Sequence, residues 1–461
     1  MTRGVRDTTE PCPAAAGEID GRGAWRRRVS ALAVPIVLAN LGVSLAGVAD
    51  IAVMGRMSSP LYLSATAIGA TLFSTLYWAF GFLRMGTGGL IAQAFGAREA
   101  ETQRRVTIRA LALATAIGVL LVLLSEPLLA LGLGLMAGGA ELHALTGDYF
   151  RVRMLSAPAT LALFAIQGTL IGRQSMRAVL GLQLLQNGLN VALNIALFAL
   201  TDLAIVGVAA ATVTSELVTL AVGLWLLRPV LRPVLAIDEH RAPLREWMFE
   251  RAALARLLAL SGDLFVRSLC LTLAYYWLTA VGTRLGPVVL AANAVLLQFV
   301  ALTAQTLDGF AHAAEALSGE AIGRRDPAGL SRAIGAATSL AVGLAAALAL
   351  LWLLAGPLAI DLMTTQETVR EAARVWLPWA VAVPLVGVWS FLLDGIFIGA
   401  TRTREMRQGM LVSLAAFVAA TLALVPLLGN HGLWLSYHVL LVVRAYTLWR
   451  HRARVWSMAA G

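Results

Sequence analysis

Long apolar runs separated by short polar segments are the feature that most constrains how this chain of 461 residues folds. A helix needs about 20 mostly apolar residues to cross the hydrocarbon core of a bilayer. Twelve runs are long enough, and the second and eighth are so long that we expect them to tilt, kink or extend beyond the bilayer. The predicted spans are 29–54, 61–96, 106–135, 148–172, 178–200, 204–227, 253–282, 287–320, 330–355, 372–399, 408–428 and 432–449.

The overall composition agrees with lipid as the solvent of this chain. Hydrophobic residues make up 59% of the sequence, charged residues 13%, and the mean hydropathy is +0.77. Soluble domains carry roughly 25% charged residues. The segments between the spans are also too short for a soluble catalytic or ligand-binding domain, so we expect no enzyme activity.

Cysteine usage and motifs give no sign of a metal or cofactor. The chain has 2 cysteines, Cys12 in the polar tail and Cys270 inside an apolar run. This pattern is neither a disulfide framework nor a metal cluster. Metalloprotease, nucleotide-binding and hydrolase motifs are absent from any supporting context. We therefore predict no resident metal and no cofactor.

The arginines indicate an orientation in the membrane. The net charge is +10, which on a soluble protein suggests nucleic acid, but here arginines concentrate in alternate short loops. Segments 136–147, 201–203 and 429–431, on the other side, contain none. Cytoplasmic loops carry an excess of basic residues. We expect a multi-pass protein of a bacterial inner membrane with both termini in the cytoplasm, and no nucleic-acid partner.

An internal duplication runs through the chain. An offset of 227 residues superimposes Gly, Pro and Arg positions of the two halves without gaps. The aligned pairs include Gly55 with Gly282, Pro60 with Pro287, Gly96 with Gly323, Arg98 with Arg325, Gly168 with Gly395, Gly172 with Gly399 and Arg177 with Arg404. Because each half holds six spans, the second half enters the membrane in the same orientation as the first, which gives parallel repeats.

These features predict an all-α polytopic membrane protein with twelve transmembrane helices in two six-helix lobes. The expected divisions are a cytoplasmic tail (1–28), an N-lobe (29–227), a cytoplasmic connection (228–252), a C-lobe (253–450) and a second tail (451–461). A two-lobed body with a central cleft is suited to alternating access.

Several long motifs stand in an order that resembles one transporter family. They read VPIVLANLGVSLAGVADIAVMGR, GFLRMGTGGLIAQAFGA and NVALN in the first half, and LDGFAHAAEALSGEAIGRRD and FLLDGIFIGATR in the second. The chain resembles the MATE family throughout, and its DinF-like branch in particular. The resemblance implies cation-coupled export of amphiphilic or cationic organic compounds by a functional monomer.

The resemblance also implies a proton-binding cluster in the N-lobe. Asp50 occupies the acidic position of span 1, while Asn190, Asn194 and Thr212 occupy the polar positions of spans 5 and 6. Pro35 stands where family members have a proline that bends span 1. Asn194 replaces an aspartate of proton-driven archaeal relatives, so Asp50 has to carry the proton alone. The alternatives are that the asparagines are ordinary interhelical contacts and that Pro35 is a plain kink.

Intramembrane charges are costly and usually face a partner or a water-filled cavity. This argument makes Arg84 and a group of second-half residues candidates for lining the substrate cavity. The second-half residues are Asp263, Arg267, Asp308, Glu315 and Asp394.

Spacing and the duplication refine these candidates. Asp263 and Arg267 are spaced to neutralise each other on one helix face, which is the structural alternative. Asp308, His312 and Glu315 share a face of span 8, and the duplication aligns them with Gly81, Met85 and Gly88, none of which is acidic.

The sequence leaves three candidate functions to compare. The leading hypothesis is proton-driven export of organic compounds. Sodium coupling is one alternative, because Asp394 resembles an acid used for sodium in other branches, although the middle of span 7, between Leu264 and Leu278, lacks the acid that accompanies it there. The other is flipping of a lipid-linked precursor, which calls for several cationic residues in the cavity, with Arg84 and Arg267 as the candidates.

Overall fold

The computed structural model describes residues 21–54, 60–134, 139–200, 204–235 and 244–461, and every regular element in these ranges is an α-helix. In chain order they are α1 (Arg22–Met54), α2 (Pro60–Ala79), α3 (Phe82–Gly96), α4 (Ala100–Leu123), α5 (Ser125–Gly134), α6 (Ala140–Met154), α7 (Ala157–Gly172), α8 (Met176–Leu200), α9 (Ala204–Leu226), α10 (Arg228–Leu235), α11 (Leu244–Met248), α12 (Arg251–Arg284), α13 (Pro287–Gly323), α14 (Pro327–Met363), α15 (Glu367–Gly399), α16 (Thr403–Leu428), α17 (Asn430–Arg450) and α18 (Arg452–Ala460).

The helices recover most of the twelve predicted membrane spans. Within the described ranges, 8 helical stretches are long and apolar enough to cross a membrane, and α6 with α7, bent by 51°, forms a ninth. The spans α1 and α8 adjoin ranges that the structure does not describe. The twelfth, α17, is less apolar because it buries Asn430, His438 and Arg444 inside the protein. The prediction of an all-α membrane protein with two repeated lobes is confirmed.

The two longest predicted spans differ in their continuity. The second is interrupted at Phe80 and Gly81, between α2 and α3. The eighth, α13, is one helix of 37 residues. At the position of α13 that the duplication aligns with Gly81 stands Asp308, a residue with a Cβ atom. The absence of a side chain at Gly81 lowers helix propensity where the second span breaks.

Backbone conformation at four helix ends confirms the duplication. Among the described residues, the non-glycine residues with positive φ are Arg98 (59°), Gln174 (61°), Arg325 (56°) and Thr401 (53°). The offset of 227 residues relates Arg98 to Arg325 and Gln174 to Thr401. Left-handed residues commonly end helices, but side chains with a Cβ atom adopt this conformation rarely. The two halves therefore turn between equivalent helices in the same way.

The lobes approach each other closely at the arginine-rich face. A Cβ atom on Gly96 of α3 would lie 2.1 Å from the carbonyl oxygen of Glu320, and one on Gly323 of α13 would lie 2.0 Å from that of Gln93. These two contacts are related by the duplication. Only glycine allows this backbone approach. The ends of α3 and α13 thus pack against each other about a local twofold axis.

The hydrophobic core also joins the two lobes on the side of the arginine-rich face. One buried cluster is continuous across the lobes and includes Ile36 of α1, Leu83 of α3 and Leu317 of α13. The opposite side has a looser inter-lobe contact, where the ring centroids of Trp78 (α2) and Tyr275 (α12) lie 6.3 Å apart beside a pocket of about 420 Å³. In the described part of the chain, the lobes are closed at the arginine-rich face.

Candidate functional site

A buried chain of polar side chains joins α8 to α9. The Nδ2 atom of Asn190 donates to Oγ1 of Thr212 at 2.9 Å, and Nδ2 of Asn194 donates to Oδ1 of Asn190 at 3.3 Å. The hydroxyl of Thr212 in turn donates to the carbonyl oxygen of Val208 at 3.1 Å. Asn190 and Asn194 are 7% and 2% exposed. The prediction that the two asparagines share a helix face is confirmed, and Thr212 lies with them.

Helix α1 packs against α8, so the residues expected on α1 belong to the same region of the fold. Asp50 falls within α1, but its side chain lies outside the described residues, and its proton-binding role stays a prediction. Pro35 is half-buried inside α1, and the helix continues through it. A bend at Pro35 during transport likewise stays a prediction.

The charge of Asp394 on α15 is neutralised inside the C-lobe by two arginines. Its Oδ2 atom accepts hydrogen bonds from Nη2 of Arg267 (α12) and Nη2 of Arg444 (α17). All three residues are buried, with exposures between 5% and 7%. A carboxylate away from water needs such partners, and two guanidinium groups with one carboxylate leave the group with an excess positive charge.

The predicted pairing of Asp263 with Arg267 is wrong. Asp263 instead binds Nη1 of Arg407 at 2.7 Å and accepts a hydrogen bond from Thr403 at 2.9 Å, both residues of α16. It lines a pocket of about 670 Å³ on the arginine-rich face. The spacing of Asp263 and Arg267 on one helix allows them to pair. The guanidinium of Arg267 instead binds the buried carboxylate of Asp394 on another helix.

A second buried group bridges the two lobes. Nη1 of Arg84 (α3) lies 2.6 Å from Nε2 of His312 (α13), and Nδ1 of His312 lies 3.1 Å from Oε2 of Glu315. Glu315 is 1% exposed. Asp308 lies one helical turn before His312 and is half-buried. Arg84, Asp308 and Glu315 were predicted from the sequence, whereas His312 was noted only for sharing their helix face.

The buried group around Asp394 and the buried group around His312 lie next to each other, with Met85 between them. Nη1 of Arg267 lies 3.9 Å from its Sδ atom, and Met85 follows Arg84 on α3. The centre of the protein thus combines three arginines of α3, α12 and α17 with the carboxyls of α13 and α15. We call these residues the central charged cluster: Arg84, Arg267, Arg444, His312, Glu315 and Asp394.

The N-lobe has its own buried ion pair. Nη1 of Arg153 lies 2.9 Å from Oε2 of Glu216, and Thr160 donates to the same oxygen at 2.8 Å. The guanidinium of Arg153 also lies over the ring of Phe73, 5.2 Å from its centroid. Glu216 lies inside predicted span 6 and so is an intramembrane charge by sequence, but its partner Arg153 was not predicted. The signal was an arginine on the arginine-poor side of the membrane, since Arg153 follows segment 136–147 by a few residues.

Reciprocal hydrogen bonds hold the lobes together near the arginine-rich face. The carboxylate of Glu320 (α13) accepts from Arg28 and, at 2.6 Å, from Nε2 of Gln174. On the other side Nε2 of Gln93 (α3) donates to the carbonyl oxygen of Gly399 at 2.9 Å and to Thr401 at 3.3 Å. The duplication relates Glu320 to Gln93. We call these contacts the inter-lobe clasp; its Glu320 half is charged and its Gln93 half is neutral.

Comparison with known proteins agrees with this architecture. The MatE family model matches residues 35–196 and 264–425, once in each half. The chain is 40% identical to "DNA damage-inducible protein F" of Escherichia coli (strain K12) over 426 residues, 92% of either chain. It is 27% identical to "Probable multidrug resistance protein NorM" of Bradyrhizobium diazoefficiens over 433 residues, which covers 88% of this chain and 89% of the relative.

Solved structures share the fold at lower identity. "Crystal structure of MATE in the bent conformation" superimposes with a TM-score of 0.84 at 21% identity, covering 95% of this chain and 97% of that one. A transporter from Pyrococcus furiosus, described with the words "reverse polarity of binding pocket suggests different function", superimposes with a TM-score of 0.83 at 21% identity, covering 94% and 96%. Two lobes, a buried polar cluster and the family match in both halves together lead to one assignment: the chain is a multi-pass membrane transporter of the MATE family.

Proposed function

We propose that this protein exports amphiphilic or cationic organic compounds from the cytoplasm of a bacterium in exchange for protons. The observation that carries the proposal is the buried hydrogen-bonded chain of Asn194, Asn190 and Thr212 beside α1, the helix that bears Asp50. Amides and hydroxyls next to a carboxyl can stabilise it in either protonation state. A carboxyl that is neutral on one side of the cycle and charged on the other couples proton movement to a conformational change.

Alternating access is the mechanism that we propose for this exchange. We place the closed arginine-rich face on the cytoplasmic side, because cytoplasmic loops carry an excess of basic residues. The described state then has its inner side sealed by the inter-lobe clasp and by the close contacts of Gly96 and Gly323. Substrate loading from the cytoplasm requires that these contacts open.

The surroundings of Asp394 argue against sodium coupling at that residue. Its carboxylate already binds the guanidinium groups of Arg267 and Arg444, and the group carries an excess positive charge. A sodium ion would have to displace an arginine and enter a site that repels cations. Protons are therefore the coupling ion that we propose.

The proposed working unit is a monomer with lobes at 29–227 and 253–450, joined by the connection 228–252. Both sides of the central charged cluster come from one chain, since Arg84 belongs to the first half and His312 to the second. No second copy is needed to complete the site.

Uptake by reconstituted vesicles tests the proposal. Vesicles with an imposed pH gradient should accumulate a fluorescent organic cation, and Asp50→Asn should abolish the accumulation. Asp148→Asn is the matched control, because Asp148 is an exposed carboxylate paired with Arg151 at a lobe surface. Normal accumulation by Asp50→Asn would show that Asp50 is not the proton-binding residue.

A second candidate function is transport of an anionic, lipid-linked compound. The specific observation in its favour is the arginine-rich composition of the central charged cluster, to which Arg444 adds a third guanidinium beside Arg84 and Arg267. The Pyrococcus furiosus transporter with a pocket of reverse polarity has the same fold. Binding of a lipid pyrophosphate that Arg84→Gln weakens and Asp50→Asn leaves unchanged would favour this candidate over export of cations.

A further inference from the structure

His312 stands at the contact between the lobes and touches both. Its ring lies between Arg84 of α3 and Glu315 of its own helix α13, at 2.6 Å and 3.1 Å. The His312 side chain is 12% exposed and that of Glu315 is 2% exposed. The imidazole is therefore shielded from water on most sides but remains accessible to a proton.

The partners of His312 fix its protonation state in this conformation. A guanidinium has only N–H donors and no acceptor. Nη1 of Arg84 lies 2.6 Å from Nε2 and 3.1 Å from Nδ1, so the guanidinium faces both ring nitrogens and needs an acceptor on the ring. Nδ1 also lies 3.1 Å from Oε2 of Glu315. The geometry fits a neutral imidazole and not an imidazolium, whose two nitrogens are both donors.

Protonation of Nε2 would break the bridge to Arg84. The acceptor would become a donor that faces another donor, and an imidazolium would lie against a guanidinium. Screening by water is weak at such a site, so the repulsion between the two cations is large. The contact of Nδ1 with Glu315 survives, since both nitrogens of an imidazolium are donors and can bind the carboxylate. Proton uptake thus releases the N-lobe partner and keeps the C-lobe partner.

Glu315 makes a second inter-lobe contact at the same level. A Cβ atom on Gly88 of α3 would lie 2.1 Å from its Oε1 atom, so the carboxyl fills the space that the missing side chain leaves. Arg84 and Gly88 are one turn apart on α3, as His312 and Glu315 are on α13. The two helices contact each other through these four positions, and His312 is the member whose protonation changes a hydrogen bond between the lobes.

The other charged groups around His312 belong to four helices. Asp308 lies on α13 itself, one turn away. From α12, α15 and α17 come Arg267, Asp394 and Arg444, which bind one another and adjoin α3 through Met85. The middles of the remaining packed helices, α1, α7 and α14, carry no titratable residue in the sequence between 29 and 49, 157 and 172, and 333 and 360.

We infer that His312 is a second proton-binding site, which holds the lobes together through Arg84 while neutral and lets them separate when protonated. The bridge is present at higher pH and is lost as the pH falls through the range in which His312 takes up a proton. The inference rests on the proposed exchange of protons for substrate. In that cycle, protonation from the outside would loosen the contact that opposes the change to the inward-open state.

Nuclear magnetic resonance of ¹⁵N-labelled histidine tests the protonation state directly. The signal of His312, assigned as the one that disappears in His312→Gln and in His312→Asn, should report a neutral ring at pH 8. Acidification should convert it to the imidazolium, and Arg84→Gln should move this conversion to higher pH because it removes the opposing cation. A ring that is already charged at pH 8, or one that stays neutral on acidification, overturns the inference.

Distance measurements between spin labels test the mechanical consequence. Labels at Arg177→Cys and Arg404→Cys, exposed and equivalent in the two lobes, report their separation at the arginine-rich face once Cys12 and Cys270 are replaced. The separation should increase on acidification, and His312→Gln should abolish this response. His451→Gln, a histidine outside the central charged cluster, is the control and should retain it.

The proposed function and this inference can fail separately. Asp50→Asn should lose proton-driven uptake but keep the pH-dependent separation of the labels, because Asp50 is not part of the bridge. A response that persists unchanged in His312→Gln overturns the role of His312 and leaves the Asp50 assignment standing. If uptake by the wild-type protein does not depend on the pH gradient, the proposed function is wrong. The resonance data still establish the protonation state of His312 in that case.

Discussion

Gly88 and Glu315 occupy equivalent positions of the two halves and lie in direct contact across the inter-lobe boundary. A Cβ atom at Gly88 would approach Oε1 of Glu315 to 2.1 Å. The duplication therefore brings a residue against its own counterpart, as expected close to a twofold axis. One copy is a carboxylate and the other is glycine. The carboxylate of the second half fills the space that the glycine of the first half leaves.

The contact between Gly88 and Glu315 predicts the effect of adding one methyl group at position 88. Gly88→Ala should displace the Glu315 carboxyl and lower the free energy of unfolding by about 1–3 kcal/mol, the usual cost of overpacking. Gly181→Ala is the control, because no atom lies within 4 Å of a Cβ at that position and alanine favours the helix by about 1 kcal/mol. Thermal unfolding in detergent should separate the two variants, and equal melting temperatures would contradict the contact.

Removing the carboxylate of Asp394 should destabilise the C-lobe. Asp394→Asn leaves Arg267 and Arg444 buried against each other without a countercharge. Breaking a buried ion pair in this way costs about 3–5 kcal/mol. Asp361→Asn breaks only partly exposed pairs with Arg370 and Arg374 and should cost at most about 1 kcal/mol. Similar unfolding temperatures for the two variants would show that the buried group is not ionised as described.

The hydroxyl of Thr212 should matter more than its methyl group. Thr212→Val keeps the shape of the side chain but leaves Nδ2 of Asn190 without its acceptor, a loss of about 1–3 kcal/mol for a buried donor. We expect reduced proton-driven uptake in vesicles as well as lower stability. Thr214→Val lies on the exposed side of α9 and serves as the control. Unchanged uptake by Thr212→Val would show that the hydrogen-bonded chain of Asn194, Asn190 and Thr212 is not needed for proton coupling.

The charged half of the inter-lobe clasp should contribute most to closure. Glu320→Gln removes the charge that binds Arg28 and Arg324 and weakens the contact with Gln174. Spin labels at positions 177 and 404 should then show a larger population of separated lobes at neutral pH. Glu99→Gln, an exposed carboxylate that accepts from Thr102 on its own helix, should leave the distances unchanged. Equal distances in wild type and Glu320→Gln would contradict the role of the clasp.

The sequence was sufficient for the membrane spans and for the duplication. Apolar length depends on the thickness of the bilayer, and the offset of 227 residues is visible in Gly, Pro and Arg positions such as Arg98 and Arg325. The structure places these two residues in the same left-handed helix end. The contact of Asn190 with Asn194 was also predictable, because residues four apart on one helix share a face.

Partners on different helices were not predictable in the same way. Helical spacing suggested Asp263 with Arg267, but Arg267 binds Asp394 and Asp263 binds Arg407. Helical spacing describes neighbours on one helix and carries no information about a competing carboxylate more than a hundred residues away. The bond of His312 to Arg84 and the pair of Arg153 with Glu216 were missed for the same reason.

Coupled proton movement is the most direct test of proton-driven export. Vesicles that contain the protein, with a pH-sensitive dye inside and no imposed pH gradient, receive a gradient of a transported organic cation. We predict that protons move in the direction opposite to the cation, that replacing sodium by choline has no effect, and that Asp50→Asn abolishes the proton movement. Cation transport without proton movement, or proton movement that Asp50→Asn leaves intact, would contradict the account.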